Sequence, residues 1–174
     1  WAEVSFEVII KHTDEDFPEG LSISETAIHI AHNKAMAVKA YVQNAYHGQL
    51  AKKTILAADT IVVLDGAVIG KPKDRTEAVK ILQSLSGKQH QVITGVVILH
   101  SDGEIVFSDS TEVSFHPLSD EQIEFYVDKY EPYDKAAAYA IQEWIGVVGT
   151  QSTNGDFYKF VGLPVSRVNR KDVV

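Results

Sequence analysis

A ten-residue apolar run, Ile55–Leu64, ends on Asp65-Gly66 and is followed at once by Val68-Ile69. Asp-Gly between two strand-like runs signals a two-residue hairpin, because both central residues of that turn need positive φ. The pair therefore predicts one antiparallel connection and argues against a purely parallel sheet. Around the hairpin the hydrophobic period changes repeatedly. Ser24 can cap a helix whose apolar face uses Ala27, Ile28, Ala31, Ala35 and Val38, running to about Tyr46 with Gly48 as its stop. Asp74 precedes a second stripe of Ala78, Ile81, Leu82 and Leu85, with Gly87 just past the end.

Val92–His100 and Glu104–Phe115 read as long strands joined by Asp102-Gly103, and Ser119 with Gln122 has capping-box spacing for a helix ending near Tyr130. Val4–Ile10 reads as a strand and His12–Leu21 as a loop. Beyond Pro132, Ala136–Gln142 is rich in small residues, Trp144–Val148 is a further strand-like run, and Gly162-Leu163-Pro164 opens a short last helix or turn. Helices interleaved with strands predict an α/β fold with a mixed sheet flanked by helices.

Composition matters for what the chain can bind. Its 174 residues are enough for one domain or two tightly packed lobes, and 45% of them are hydrophobic. No stretch approaches the roughly 20 apolar residues of a membrane helix. Cysteine is absent, which excludes disulfides, thiolate metal sites and a cysteine nucleophile, and fits a reducing compartment. A net charge of -8 speaks against wrapping nucleic acid, where phosphate neutralisation supplies most of the affinity. A small polyphosphate remains compatible, since a few lysines can make one pocket locally positive.

Four segments carry candidate chemistry. Asp59-Thr60 interrupts the apolar strand, and an unpaired buried carboxylate is costly, so Asp59 must meet a cation, a metal or solvent. A structural aspartate paired with a lysine satisfies the same demand. Gly66–Lys71 falls one residue short of P-loop spacing, and Pro72 stands where that motif needs Ser or Thr on magnesium. Pro72 does hold the backbone of Lys71 extended, although an exposed hairpin lysine reads equally well. Asp14-Glu15 offers oxygen ligands for a hard divalent ion, or is simply a solvated acidic loop. After Asp134-Lys135, the small residues Ala136–Ala138 permit close approach either to a ligand or to a neighbouring element. Read alone, Lys34 is a surface lysine. His29 and His32 share a helix face with no third ligand, and no Gly-x-Ser-x-Gly elbow is present, so zinc and serine-hydrolase chemistry are set aside.

Taken in order, eight runs resemble the Maf family of nucleotide pyrophosphatases across essentially the whole chain. They are Asp14-Glu15, Ile30–Ala35, Ala58–Val62, Gly70-Lys71-Pro72, Val92–Val96, Asp134–Tyr139, Ile141-Gln142 and Gly162-Leu163-Pro164. The resemblance implies a single domain over 1–174 with a mixed twisted sheet and a central cleft, similar to the inosine triphosphate pyrophosphatase fold. It implies hydrolysis of a nucleoside triphosphate to the monophosphate and pyrophosphate, by attack of water on the α-phosphorus. Asp59 falls on the proton acceptor, and Glu15 with Asp59 on the ligands of a divalent cation, Mg²⁺ or Mn²⁺. Lys34 and Lys71 fall on phosphate-contacting lysines, and Lys135 on the substrate-binding set. Thr60 and Gln142 fall on positions that separate subgroups by base; the Asp-Thr form resembles the subgroup taking dTTP and UTP, rather than the one acting on 7-methyl-GTP. Cytoplasmic location and homodimers are further implications, with neither nucleic acid nor membrane as a partner.

The chain departs from the family pattern at His32-Asn33, usually Arg-Glu, at Ala137, usually Gly, and at Lys159, often Asn. The family's opening Ser-x-Ser-Pro-Arg-Arg loop is absent, so a strand, that loop and a helix are expected before Trp1. Two alternatives accompany the main reading. One is a pyrophosphatase for modified pyrimidine nucleotides such as 5-methyl-UTP, pseudo-UTP or 5-methyl-CTP. The other is a catalytically weak nucleotide-binding regulator linked to cell division and septum formation.

Overall fold

The hairpin forms as its turn residues require. Strand β1 (Ile55–Leu64) pairs antiparallel with β2 (Ala67–Ile69), placing Leu64 opposite Ala67 and Val62 opposite Ile69. Asp65 and Gly66 both take positive φ, 51° and 83°, as a turn matching the strand twist demands. This computed structural model describes residues 6–14, 16–45 and 53–154. The other elements are helix α1 (Ile23–Ala45), α2 (Arg75–Leu85), β3 (Gln89–His100), β4 (Gly103–Phe115), α3 (Asp120–Tyr130), a 3₁₀ turn at Ala136–Ala138, α4 (Trp144–Gly149) and β5 (Thr150–Asn154). The five strands form one sheet in the order β2-β1-β3-β4-β5. The β4–β5 pair is antiparallel, with a register shift between Ser114 and Phe115. The α/β class expected from the sequence holds.

Backbone contacts divide the described residues into two compact units, one formed by those up to Asp59 with Thr94–Asp109, the other by Thr60–Ile93 with residues 110–154. In the first unit, β3 alternates as a two-faced strand must. Val97 and Leu99 pack with Ala31 and Ala35 of α1, while Val96 and Ile98 pack with Phe107. Gly95 makes the closest approach: a Cβ there would lie 2.4 Å from the Ala27 carbonyl carbon, so α1 rests backbone-to-backbone on β3.

In the second unit, Ala78, Leu82 and Leu85 of α2 and Ile123, Tyr126 and Val127 of α3 share a core with Val62, Leu64, Val92, Val113 and Phe115. Both helices begin as the sequence predicts. The Asp74 carboxylate accepts from the Glu77 amide at 2.9 Å, and Ser119 with Gln122 forms a complete capping box. Gly87 follows α2 at φ 68°, the left-handed conformation that suits glycine after a helix.

Three expectations are corrected. The box at the start of α1 uses Ser22 with Glu25, not Ser24: the Ser22 amide donates to Glu25 at 2.8 Å, and the Glu25 amide to the Ser22 hydroxyl at 3.3 Å. Phe6–Ile10 forms no strand; its alternation leaves Phe6, Val8 and Ile10 all largely exposed, with no described strand beside them to complete a ladder. Trp144–Val148 belongs to a helix, not a strand. A five-residue apolar run has no period that separates the two, and Gly146 settles it, because its amide donates back to the Glu143 carbonyl at 3.0 Å. Residues 155–174, including Gly162-Leu163-Pro164 and Lys159, lie outside the described residues, as do Trp1 and Gly48.

Candidate active site

The first unit answers what Asp59 pairs with. Asp59 sits midway along β1, and its side chain is 11% exposed. Lys34, on α1, donates from Nζ to the Asp59 carboxylate across twenty-five residues of sequence. The lysine stands between Ala31 and Ala35, whose methyls are buried against β3, so the helix face that packs on the sheet also carries the ammonium toward β1. An apolar strand tolerates a carboxylate here because a cation meets it. Lys34 is therefore no ordinary surface lysine. Thr60, the next residue of β1, is partly buried.

In the second unit, Lys71 follows β2 and is exposed, while Pro72 is buried. The Gly70 carbonyl accepts from the Ala137 amide at 3.0 Å, which ties this lysine-bearing loop to the segment from Asp134 to Glu143. Asp134 meets the Lys135 ammonium at 3.0 Å, and Lys135 also lies 3.5 Å from Glu143. The hydrogen bond to Lys135 lowers the pKa of the Asp134 carboxyl, with smaller help from the charges of Lys135 and Lys71. For Lys135 the largest influence, burial, lowers the pKa, but Asp134 and Glu143 outweigh it and hold the ammonium above the usual lysine value. Lys135 stays charged at neutral pH and can face an anionic substrate.

Ala137 and Ala138 both adopt positive φ, 53° and 59°, while fully buried. Left-handed backbone costs an alanine about 1–2 kcal/mol, and strain of this kind gathers where a segment must hold a particular shape. Tyr139 follows, buried, with its hydroxyl 2.6 Å from Nε2 of His90. Gln142 is exposed in the turn before α4.

Sequence reading missed Tyr126 and Glu143. The Tyr126 hydroxyl donates to the Glu143 carboxylate and accepts from the Ala140 amide at 3.3 Å, linking α3 to the segment that carries Lys135 and Gln142. No spacing rule couples positions seventeen apart; the only sequence signal was a glutamate immediately after Gln142.

Glu15 lies outside the described residues, and Asp14 is exposed. Among the described residues, no cluster of three or more His, Asp or Glu side chains could hold a metal ion by itself. The Asp59 carboxylate offers the hard oxygen donor that Mg²⁺ or Mn²⁺ takes, and such ions usually complete their shell with substrate phosphates and water. That donor chemistry fits a hard divalent ion shared between protein and triphosphate. No described helix is long and apolar enough to cross a membrane.

The sequence model of the family described as Maf-like protein matches residues 2–171. A dTTP/UTP pyrophosphatase of Porphyromonas gingivalis is 46% identical over 152 residues, covering 87% of this chain and 73% of the relative. One from Bacteroides thetaiotaomicron is 45% identical, covering 89% and 77%. A third, from Parabacteroides distasonis, is 42% identical over 167 residues, covering 95% and 83%.

Proposed function

This chain belongs to the Maf-like protein family, and from that premise we propose that it hydrolyses dTTP and UTP to the monophosphate and pyrophosphate. It is a nucleoside triphosphate pyrophosphatase, a hydrolase of phosphoric anhydride bonds. The observation that carries the reading is the Lys34–Asp59 pair, a carboxylate held in an apolar strand by one helix-borne ammonium. Asp59 is the proton acceptor for the attacking water. Lys34 is the ammonium that meets it on β1. An arriving triphosphate competes for the same ammonium. Drawing Lys34 onto the phosphates turns the Asp59 carboxylate toward the proton of the attacking water. Lys34 and Lys71 offset the charge of the triphosphate and of the leaving pyrophosphate, and Lys135 contacts the substrate.

Asp59 and Glu15 are the residues that would hold a divalent ion, which polarises phosphoryl oxygens and screens their charge. Gln142, exposed, with one amide donor and one acceptor group, suits the edge of a pyrimidine base, and Thr60 joins it in base selection. The chain works as one domain over 1–174, in the cytoplasm, and as a homodimer; the cysteine-free composition and the family resemblance support these statements.

A panel of dTTP, UTP, 5-methyl-UTP, pseudo-UTP, 5-methyl-CTP, ATP and GTP, read by pyrophosphate release with Mg²⁺ or Mn²⁺ and again after EDTA, tests the reading. Pyrimidine triphosphates lead and chelation stops turnover. Nucleotide binding without pyrophosphate release would instead identify a regulator, and equal rates on every base would remove Thr60 and Gln142 from selection.

A further inference from the structure

We propose that Tyr126 and Glu143 are positioning residues for base selection, holding the turn that presents Gln142. The proposal rests on the reading of Gln142 given above. The turn from Ala140 to Glu143 is closed by its own hydrogen bond, from the Glu143 amide to the Ala140 carbonyl at 3.0 Å. Both of its end residues also meet one phenol oxygen. The Tyr126 hydroxyl accepts from the Ala140 amide at 3.3 Å and donates to the Glu143 carboxylate. Ile141 is buried beneath the turn, and a Cβ at Gly146 would lie 1.8 Å from the Ile141 carbonyl oxygen, so α4 presses directly on the turn from the other side. Gln142 is the one residue of the turn left exposed.

The phenol is well placed to keep this geometry. Tyr126 is fully buried and stacks on Tyr130, with ring centroids 5.0 Å apart. Burial, and then the hydrogen bond to Glu143, push its pKa upward, so the hydroxyl remains a donor at every working pH. The other carboxylate oxygen of Glu143 lies 3.5 Å from the Lys135 ammonium. One glutamate thus fixes the turn bearing Gln142 and sits against a candidate substrate-binding lysine. A flexible amide can satisfy any base by rotating, whereas an amide on a fixed turn matches one edge and leaves a wrong base with unpaired groups, and that difference makes selectivity.

The test compares kcat/KM for dTTP and UTP with that for ATP and GTP in Tyr126→Phe, which removes the hydroxyl and keeps the ring. The pyrimidine values fall about tenfold, the worth of one well-placed hydrogen bond, while the purine values change little. The pyrimidine-to-purine ratio thereby approaches that of Gln142→Ala. Glu143→Gln, which keeps an oxygen to accept from the phenol, retains the ratio; Glu143→Ala loses it. A merely structural role lowers all four substrates together and leaves the ratio untouched, which overturns the proposal. If Tyr126→Phe does not fold, the two Glu143 variants read the same ratio. A wild-type chain with no pyrimidine preference overturns the reading beneath the proposal, whereas a preference that survives both Tyr126→Phe and Glu143→Ala overturns the proposal alone.

Discussion

Replacing Gly95 by alanine should disable the enzyme from a position that carries no chemistry. The new Cβ would lie 2.4 Å from the Ala27 carbonyl carbon and 2.5 Å from both the Ala27 oxygen and the Ile28 nitrogen. Ordinary contacts begin near 3.4 Å, and these neighbours are backbone, so no rotamer change relieves the clash. Helix α1 must withdraw from β3 by about 1 Å, and overpacking of this kind costs about 1–3 kcal/mol. For a chain of this length that lowers Tm by about 2–12 °C. Ala27 and Lys34 are seven residues apart on α1 and share a face, so the withdrawal carries the Lys34 ammonium away from Asp59. A displacement near 1 Å at a reacting centre costs on the order of 10²-fold in rate. Melting followed by circular dichroism and pyrophosphate release from dTTP, assayed well below the lowered Tm, measure the two effects separately. Unchanged melting would refute the close approach of α1 to β3; lowered melting with wild-type turnover would refute the link from that contact to the Lys34–Asp59 pair.

His90 and Ala137 give two further expectations. His90 is 2% exposed and burial lowers its pKa from 6.5 to about 4. The unfolded chain therefore takes up this proton at higher pH than the folded one; the stability from keeping His90 neutral is complete above pH 6.5 and drains away as pH falls toward 4, about 3 kcal/mol in all. Urea titrations at pH 7 and 4.5 should show a loss that is smaller in His90→Gln, and parallel losses in the two proteins would rule the histidine out as the cause. Ala137, at φ 53°, should tolerate Ala137→Gly within about 1 kcal/mol, as relief of left-handed strain offsets the added chain entropy. Ala137→Val should cost more than about 2 kcal/mol in a denaturant titration, since a β-branched residue resists that conformation; a valine variant as stable as wild type contradicts the backbone geometry.

The features legible in the sequence were those whose physics is local. Asp65-Gly66 announced a hairpin because both positions need positive φ, and Asp74, Ser119 and Gln122 announced helix starts because Asp74 and Ser119 accept from amides three residues on and Gln122 from the Ser119 amide three residues back. The apolar stripe of α2 likewise predicted its buried Ala78, Leu82 and Leu85. Asp59 was legible as a demand: a carboxylate in an apolar strand must find a cation. Which cation was a tertiary fact, since nothing in residues 26–34 points to a strand twenty-five positions away. The Trp144 run failed for a related reason, because five apolar residues carry no period and their helix depends on Gly146 lying against Ile141. Phe6–Ile10 shows the converse, since alternation makes a strand only where another strand accepts its hydrogen bonds. Tyr126 and Glu143 were invisible because their meeting depends on how α3 packs beneath the turn before α4.

We propose that Asp59 is the proton acceptor for hydrolysis of a pyrimidine triphosphate. Its most direct test is single-turnover pyrophosphate release from dTTP by wild type and Asp59→Asn, with circular dichroism confirming that both are folded. The amide keeps the shape and still accepts a hydrogen bond from Lys34, but it cannot take a proton from water. The rate falls by about 10²–10⁴-fold in the variant. Wild-type pyrophosphate release from a folded Asp59→Asn chain would contradict it.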